Sequence, residues 1–184
     1  MSENEGLFYG SLIYRFEGEI CMNKSGLKIR EARKEDAEQV LSLYEGAKNG
    51  EFCVWNDSYP TTIEIEHDLE TNNLYVMTDG GKIIGAISIV PENEMDGFDC
   101  WSYKDGKEIA RVVIDKPYQG HGLSFEMVRS VEAILRERGH KTIHLSVAKS
   151  NVPAYKTYVK AGFTVVGEAK MYESDYYLME KAID

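Results

Sequence analysis

The sequence has little with which to cross a membrane, hold a metal or cross-link itself. Its longest nearly apolar run, Ile83 to Val90, is far too short to span a bilayer. Its 3 cysteines, Cys21, Cys53 and Cys100, are odd in number and far apart, which suits neither a disulfide framework nor a zinc site. Its 4 histidines, His67, His121, His140 and His144, lack the spacing of metal ligands, so no metal is expected. Positive charge is also short. The 184 residues carry 21 Lys and Arg against 31 Asp and Glu, a net charge of −10. A general nucleic-acid binder needs a cationic face to release counterions, and that class is excluded. A cationic partner suits the acidic field better. No basic segment leads into an apolar one near Met1, so no secretory signal is read and a cytoplasmic location is expected. Internal repeats and low-complexity tracts are missing too.

What is present is an ordinary globular composition, 43% hydrophobic and 28% charged. Residues 1–26 are interrupted by glycines and read as an N-terminal extension, with a strand or hairpin among Phe8 to Tyr14. From Leu27 onward the pattern is regular. Leu27 to Arg30 alternates as a short strand, and Ala37, Val40, Leu41 and Tyr44 recur at helical spacing. A second helix starts after Tyr59-Pro60. Leu74 to Met77 and Ile83 to Val90 flank an Asp-Gly-Gly turn, a hairpin signal. Glu108 to Ile114 is a strand rich in β-branched residues. Met127, Val128, Val131, Ile134 and Leu135 make a helix face, Lys141 to Val147 another strand, and Asn151 to Lys160 a capped helix. Extended segments to Val166 and from Tyr176 to Met179 close the chain. The reading is one mixed α/β domain over 27–184.

Between strand and helix lies Gln119-Gly120-His121-Gly122-Leu123-Ser124. A helix start leaves backbone N–H groups unpaired under a positive dipole end, and glycines let the backbone curl round a pyrophosphate. The dinucleotide fingerprint GxGxxG and the Walker A lysine are both missing. The segment resembles the Arg/Gln-x-x-Gly-x-Gly/Ala acetyl-CoA loop of the GNAT N-acetyltransferase family, with Ser124 where that family has Gly or Ala. Asn151 to Phe163 resembles the family's second signature, N-x-x-A-x-x-L-Y-x-K-x-G-F, at Asn151, Ala154, Tyr158, Lys160, Gly162 and Phe163, with Thr157 in place of Leu.

The resemblance implies a central twisted, mostly antiparallel sheet of six to seven strands flanked by about four helices, with two splayed central strands holding acetyl-CoA (coenzyme A). It implies cofactor contacts from Val112, Val113, Ile114, Gln119, Gly120, His121, Gly122, Leu123, Ser124, Asn151, Ala154 and Tyr158. The activity implied is direct transfer of the acetyl group to a primary amine, a small molecule or a peptide N-terminus. That chemistry needs a neutral amine, a donor for the carbonyl oxygen and an acid for the departing thiolate. Tyr158 matches the acid, and a backbone N–H near Val113 the donor. Glu108 is the candidate base, working through water, with Asp99 and Asp115 behind it. Trp55, Asn56 and Tyr59, with Asp99 and Trp101, are the candidate acceptor-binding residues, where aromatic faces and carboxylates suit an ammonium. The alternative is a non-catalytic acyl-CoA-binding or sensor domain on the same fold. A monomer and a homodimer are equally compatible with the sequence.

Overall fold

The apolar hairpin in the middle of the sequence becomes the middle of the sheet. In the computed structural model, which describes residues 13–16, 19–22, 26–48, 50–90, 95 and 97–183, the strands are β1 (Ile13–Phe16), β2 (Glu19–Met22), β3 (Lys28–Glu31), β4 (Leu74–Asp79), β5 (Lys82–Ile89), β6 (Lys107–Ile114), β7 (Thr142–Ala148), β8 (Thr164–Met171) and β9 (Ser174–Ala182). The helices are α1 (Ala37–Lys48), α2 (Thr62–Glu70), α3 (Leu123–Glu137) and α4 (Val152–Lys160). The sheet order is β1-β2-β3-β4-β5-β6-β7-β9-β8. Every pairing is antiparallel except β6 with β7. Seven strands and four helices form the frame that the motifs implied, and the hairpin of residues 13–22 extends the sheet to nine strands. The earlier strand signal at Phe8 to Leu12 lies outside the described residues.

The two sheet faces are covered by different helices. On one face α3 and α4 bury Met127, Val128, Val131 and Leu135 with Ile84, Ile87, Ile109 and Leu145. Each fully buried apolar side chain of this kind contributes roughly 1.5–3 kcal/mol. On the other face α1 and α2 bury Val40, Tyr44 and Ile65 against Val76, Ala86 and Val113. β9 runs to Ala182, well past the Tyr176–Met179 expected from alternation, because it pairs along all of β7 as well as β8. Its hairpin with β8 turns at Tyr172 and Glu173, both at positive φ. Neither is Gly or Asn, so the turn gave no signal in the sequence. No helix among the described residues is long and apolar enough to cross a membrane.

Candidate active site

The feature that organises the site is where β6 and β7 stop pairing. They are bridged only at Lys107–Ile143 and Glu108–His144, although β6 continues to Ile114 and β7 to Ala148. Beyond Glu108 the β6 edge that faces β7 is open. Its far edge stays paired to β5, with the Asp115 N–H donating to Ile84 O at 2.8 Å. Alternation along an antiparallel strand then turns the Val113 N–H inward to β5 and that of Ile114 outward, while Val112 lies where the ladder is irregular. The register also slips opposite Ile87, where Arg111 and Val112 together face one residue of β5. This is a β-bulge, and Arg111 adopts φ 53° within it.

The strand leads into the glycine turn. Gly120 and Gly122 have φ 79° and 80°, which side-chain-bearing residues rarely adopt, and open space surrounds the position a Cβ would take at each. Gly122 caps α3, whose first helical bond in the chain is Glu126 N–H to Gly122 O at 3.2 Å. The amides of Leu123, Ser124 and Phe125 precede it at the positive end of the helix. Gln119 supports the turn from behind, since its Nε2 donates to the outward carbonyl of Ile114 at 2.9 Å. His121 is exposed, its Nδ1 3.3 Å from Tyr118 O. Two surface links tie the turn to the β4–β5 hairpin: Lys82 with Asp115 at 2.6 Å and the Tyr118 hydroxyl with Asp79 at 3.1 Å.

α4 supplies the second signature. Asn151 caps it, its Oδ1 accepting from Ala154 N–H at 3.2 Å, so this carboxamide oxygen serves the helix. Tyr158 is buried on the α3/α4 face, edge-on to Phe163 at 5.9 Å. Burial alone raises the Tyr158 phenol well above the ordinary tyrosine value, so it holds its proton at any working pH. Glu108, also buried, opens β6 beside His144.

The candidate acceptor residues separate into two groups. Asn56 accepts from Ser58 N–H and Oγ at 2.8 and 2.6 Å and pairs its backbone with that of Tyr59, which rigidifies the α1–α2 loop. Trp55 meets Tyr44 edge-on at 5.4 Å, and the Tyr59 hydroxyl accepts from Arg111 at 3.1 Å. The turn residue Tyr172 and the loop residues Tyr59 and Cys53 stand close enough to Tyr176 to add to the effect of burial in raising its pKa. Trp101 is engaged elsewhere. It stacks on His144 at 4.1 Å, its Nε1 donates to Met95 O, and it is 6% exposed. Asp99 sits just before Cys100, whose thiol pKa is raised by burial first and then by the carboxylates of Glu180 and Asp99.

One buried cluster was not singled out from the sequence. Asp68 and Ser88 are both 0% exposed, and the Ser88 hydroxyl donates to Asp68 at 2.6 Å. Arg111 Nη2 reaches both Asp68 oxygens at 2.8 and 3.0 Å, and Nε reaches Asp68 at 3.2 Å and Ser88 at 3.3 Å. Burial opposes the Arg111 charge, but Tyr59, Asp68 and Tyr44 outweigh it and raise its pKa further. The available signal was Asp68 itself, at steps of 3 and 1 from Ile65 and Leu69 on the apolar face of a helix.

The match to known proteins follows this geometry. The model of the acetyltransferase (GNAT) family matches residues 37–163, which is more than half of the chain. The chain belongs to the GNAT acetyltransferase family. No curated protein sequence matches it. Among solved structures, yncA of Salmonella typhimurium, determined with its cofactor acetyl-CoA, is 21% identical, with 87% of this chain and 95% of that one covered and a TM-score of 0.70. A GNAT-family acetyltransferase from Streptococcus pneumoniae is 24% identical, covering 86% and 99%, with a TM-score of 0.69. The ribosomal-protein-S18-alanine N-acetyltransferase of Escherichia coli is 17% identical, covering 86% and 94%, with a TM-score of 0.67. As a GNAT member the chain is an acyl-transfer enzyme whose cofactor is acetyl-CoA. The residues present fit that cofactor. The left-handed glycines leave room for a pyrophosphate at the start of α3, and the open β6 edge offers backbone groups to an extended, amide-bearing arm.

Proposed function

We propose that the protein moves an acetyl group from acetyl-CoA directly to a primary amine, a small molecule or a peptide N-terminus. The observation that carries this reading is the divergence of β6 and β7 after Glu108–His144, with the cradle at one end and Tyr158 on one face. The cofactor supplies the activated acetyl group when bound, and the chain supplies the rest. The Leu123 to Phe125 amides and Gly120 to Gly122 hold the pyrophosphate, which the overall charge of −10 would otherwise repel. A β6 amide, Val112 or Ile114, donates to the acetyl oxygen as negative charge grows there. Glu108 takes the acceptor's proton through water. Tyr158, kept protonated by burial, gives a proton to the departing sulfur. The acceptor enters from the α1/α2 side, past Trp55, Asn56 and Tyr59, where aromatic faces favour an ammonium. Its site there is bounded by a rigid loop, which supports a small amine or a chain end over a folded protein surface.

The test is a thiol-release screen of the purified protein with acetyl-CoA against amines and peptides. Amine-dependent CoA release together with acetylated product supports the reading. Tight acetyl-CoA binding with no release across the panel favours a sensor domain.

A further inference from the structure

The β6 bulge is built where nothing local favours it. Glu108 to Ile114 is a β-branched run that would pair regularly with β5. Instead Arg111 adopts φ 53°. The left-handed region costs an L-residue about 1–2 kcal/mol, and neither Gly nor Asn is there to reduce that. Something else must hold it. The guanidinium of Arg111 has fixed partners, and they come from three elements. Asp68 of α2 receives it through a two-pronged contact, Ser88 of β5 through Nε, and Tyr59 of the α1–α2 loop through Nη1. Asp68 and Ser88 are wholly buried, and the Arg111 side chain is 9% exposed. The buried hydroxyl of Tyr44 lies beside the same cluster, next to Ser88.

A buried ion pair is a poor device for stability, because desolvation offsets most of its attraction. It is a good device for fixing one arrangement. The arrangement fixed here is the backbone at Arg111, one residue before the Val112 amide in the same bulge. A donor to a developing oxyanion is worth most when held within about 0.5 Å of its place. We propose that Arg111, clamped by Asp68 and Ser88, is a positioning residue that holds the β6 bulge and aims the Val112 amide at the acetyl oxygen. Tyr59 ties the acceptor loop to the same guanidinium, so the loop and the amide are held by one group. This inference rests on the acetyl-transfer reading of the site.

The experiment compares wild type with Arg111→Gly and Arg111→Lys. Glycine adopts positive φ freely, so it removes the clamp without adding backbone strain, although it leaves Asp68 without its cation. Lysine keeps a buried cation for Asp68 but has no fork, which guards against loss of fold. Two quantities are read on each protein, without any acceptor: the affinities for CoA and for acetyl-CoA by calorimetry, and the infrared carbonyl stretch of bound acetyl-CoA, isotopically labelled at the acetyl carbon. Wild type is expected to prefer acetyl-CoA and to shift the stretch to lower frequency, as a hydrogen-bonded carbonyl does. Both variants are expected to keep the affinity for CoA, lose the preference for acetyl-CoA and lose the shift. With an acceptor found by screening, kcat should fall by about a hundredfold, the usual cost of one oxyanion donor. An unchanged shift in the variants would overturn the clamp, and so would equal loss of affinity for both ligands, which marks general structural damage. Failure of wild type to bind either ligand would overturn acetyl transfer itself, and the clamp's role with it.

Discussion

Tyr158 carries the residue-scale case for catalysis. Burial raises the phenol's pKa, which keeps its proton in place but makes it a weaker acid, so it can serve a departing thiolate only by giving the proton as the C–S bond breaks. Tyr158→Phe keeps the ring packed on Phe163 and removes only the hydroxyl. We expect kcat to fall about a hundredfold with acetyl-CoA affinity unchanged, measured by steady-state kinetics and calorimetry. An undiminished rate would remove Tyr158 from the mechanism. At the cradle, Gly122→Trp places a bulky side chain in the open space at the start of α3. Its left-handed φ also costs about 1–2 kcal/mol. Acetyl-CoA binding should be lost in a protein that still melts cooperatively. Retained wild-type affinity would refute the phosphate site.

At the element scale, the loop from 97 to 106 packs on β8 and β9 through Phe98, Cys100 and Trp101, and a polar group of contacts ties it to β7 and β9. Glu180 of β9 accepts from the Ser102 and Tyr103 amides, both at 3.2 Å, and stands 3.1 Å from His144 Nε2. Trp101 covers the His144 ring, and Gly106 passes so close that a Cβ there would overlap it. The loop therefore fixes where β6 begins and hence where Glu108 stands. Gly106→Ala should cost about 1–3 kcal/mol through overpacking, read by urea denaturation. Trimming the ring with His144→Ala in the same chain should recover part of that loss. If Gly106→Ala alone is neutral, the loop yields and does not set the start of β6.

For the whole molecule, acid is the informative stress. Burial alone would raise the Glu180 pKa, but the bonds from Ser102, Tyr103 and His144 outweigh it and hold it below the ordinary value of 4.5. Asp36, held by Arg30 and the Arg33 amide against the same desolvation, also lies below its ordinary 3.8. A lowered folded pKa contributes stability that is present above the unfolded value and lost as pH falls through the folded one. Urea stability should therefore decline as pH drops below 4.5. Glu180→Gln should show a shallower decline from a lower plateau. A parallel curve would mean Glu180 has no part in it.

How much was legible depended on sequence distance. Periodicity marked α1, α3, α4 and the β4–β5 hairpin because a helix or hairpin buries its apolar face through neighbours in the chain. The Gly120–Gly122 turn and the Tyr158 signature were legible for the same reason, since each is a continuous segment. The β8–β9 turn was not, because Tyr172 and Glu173 carry no turn chemistry and are held by strand pairing on both sides. Nor was the packing of Trp101, which stacks on a histidine 43 positions away. Above all, Arg111, Asp68, Ser88 and Tyr59 look unrelated as a string. Only the packing of α2 and its loop against β5 and β6 joins them, because ion pairing in a dry interior depends on distance in space and not along the chain.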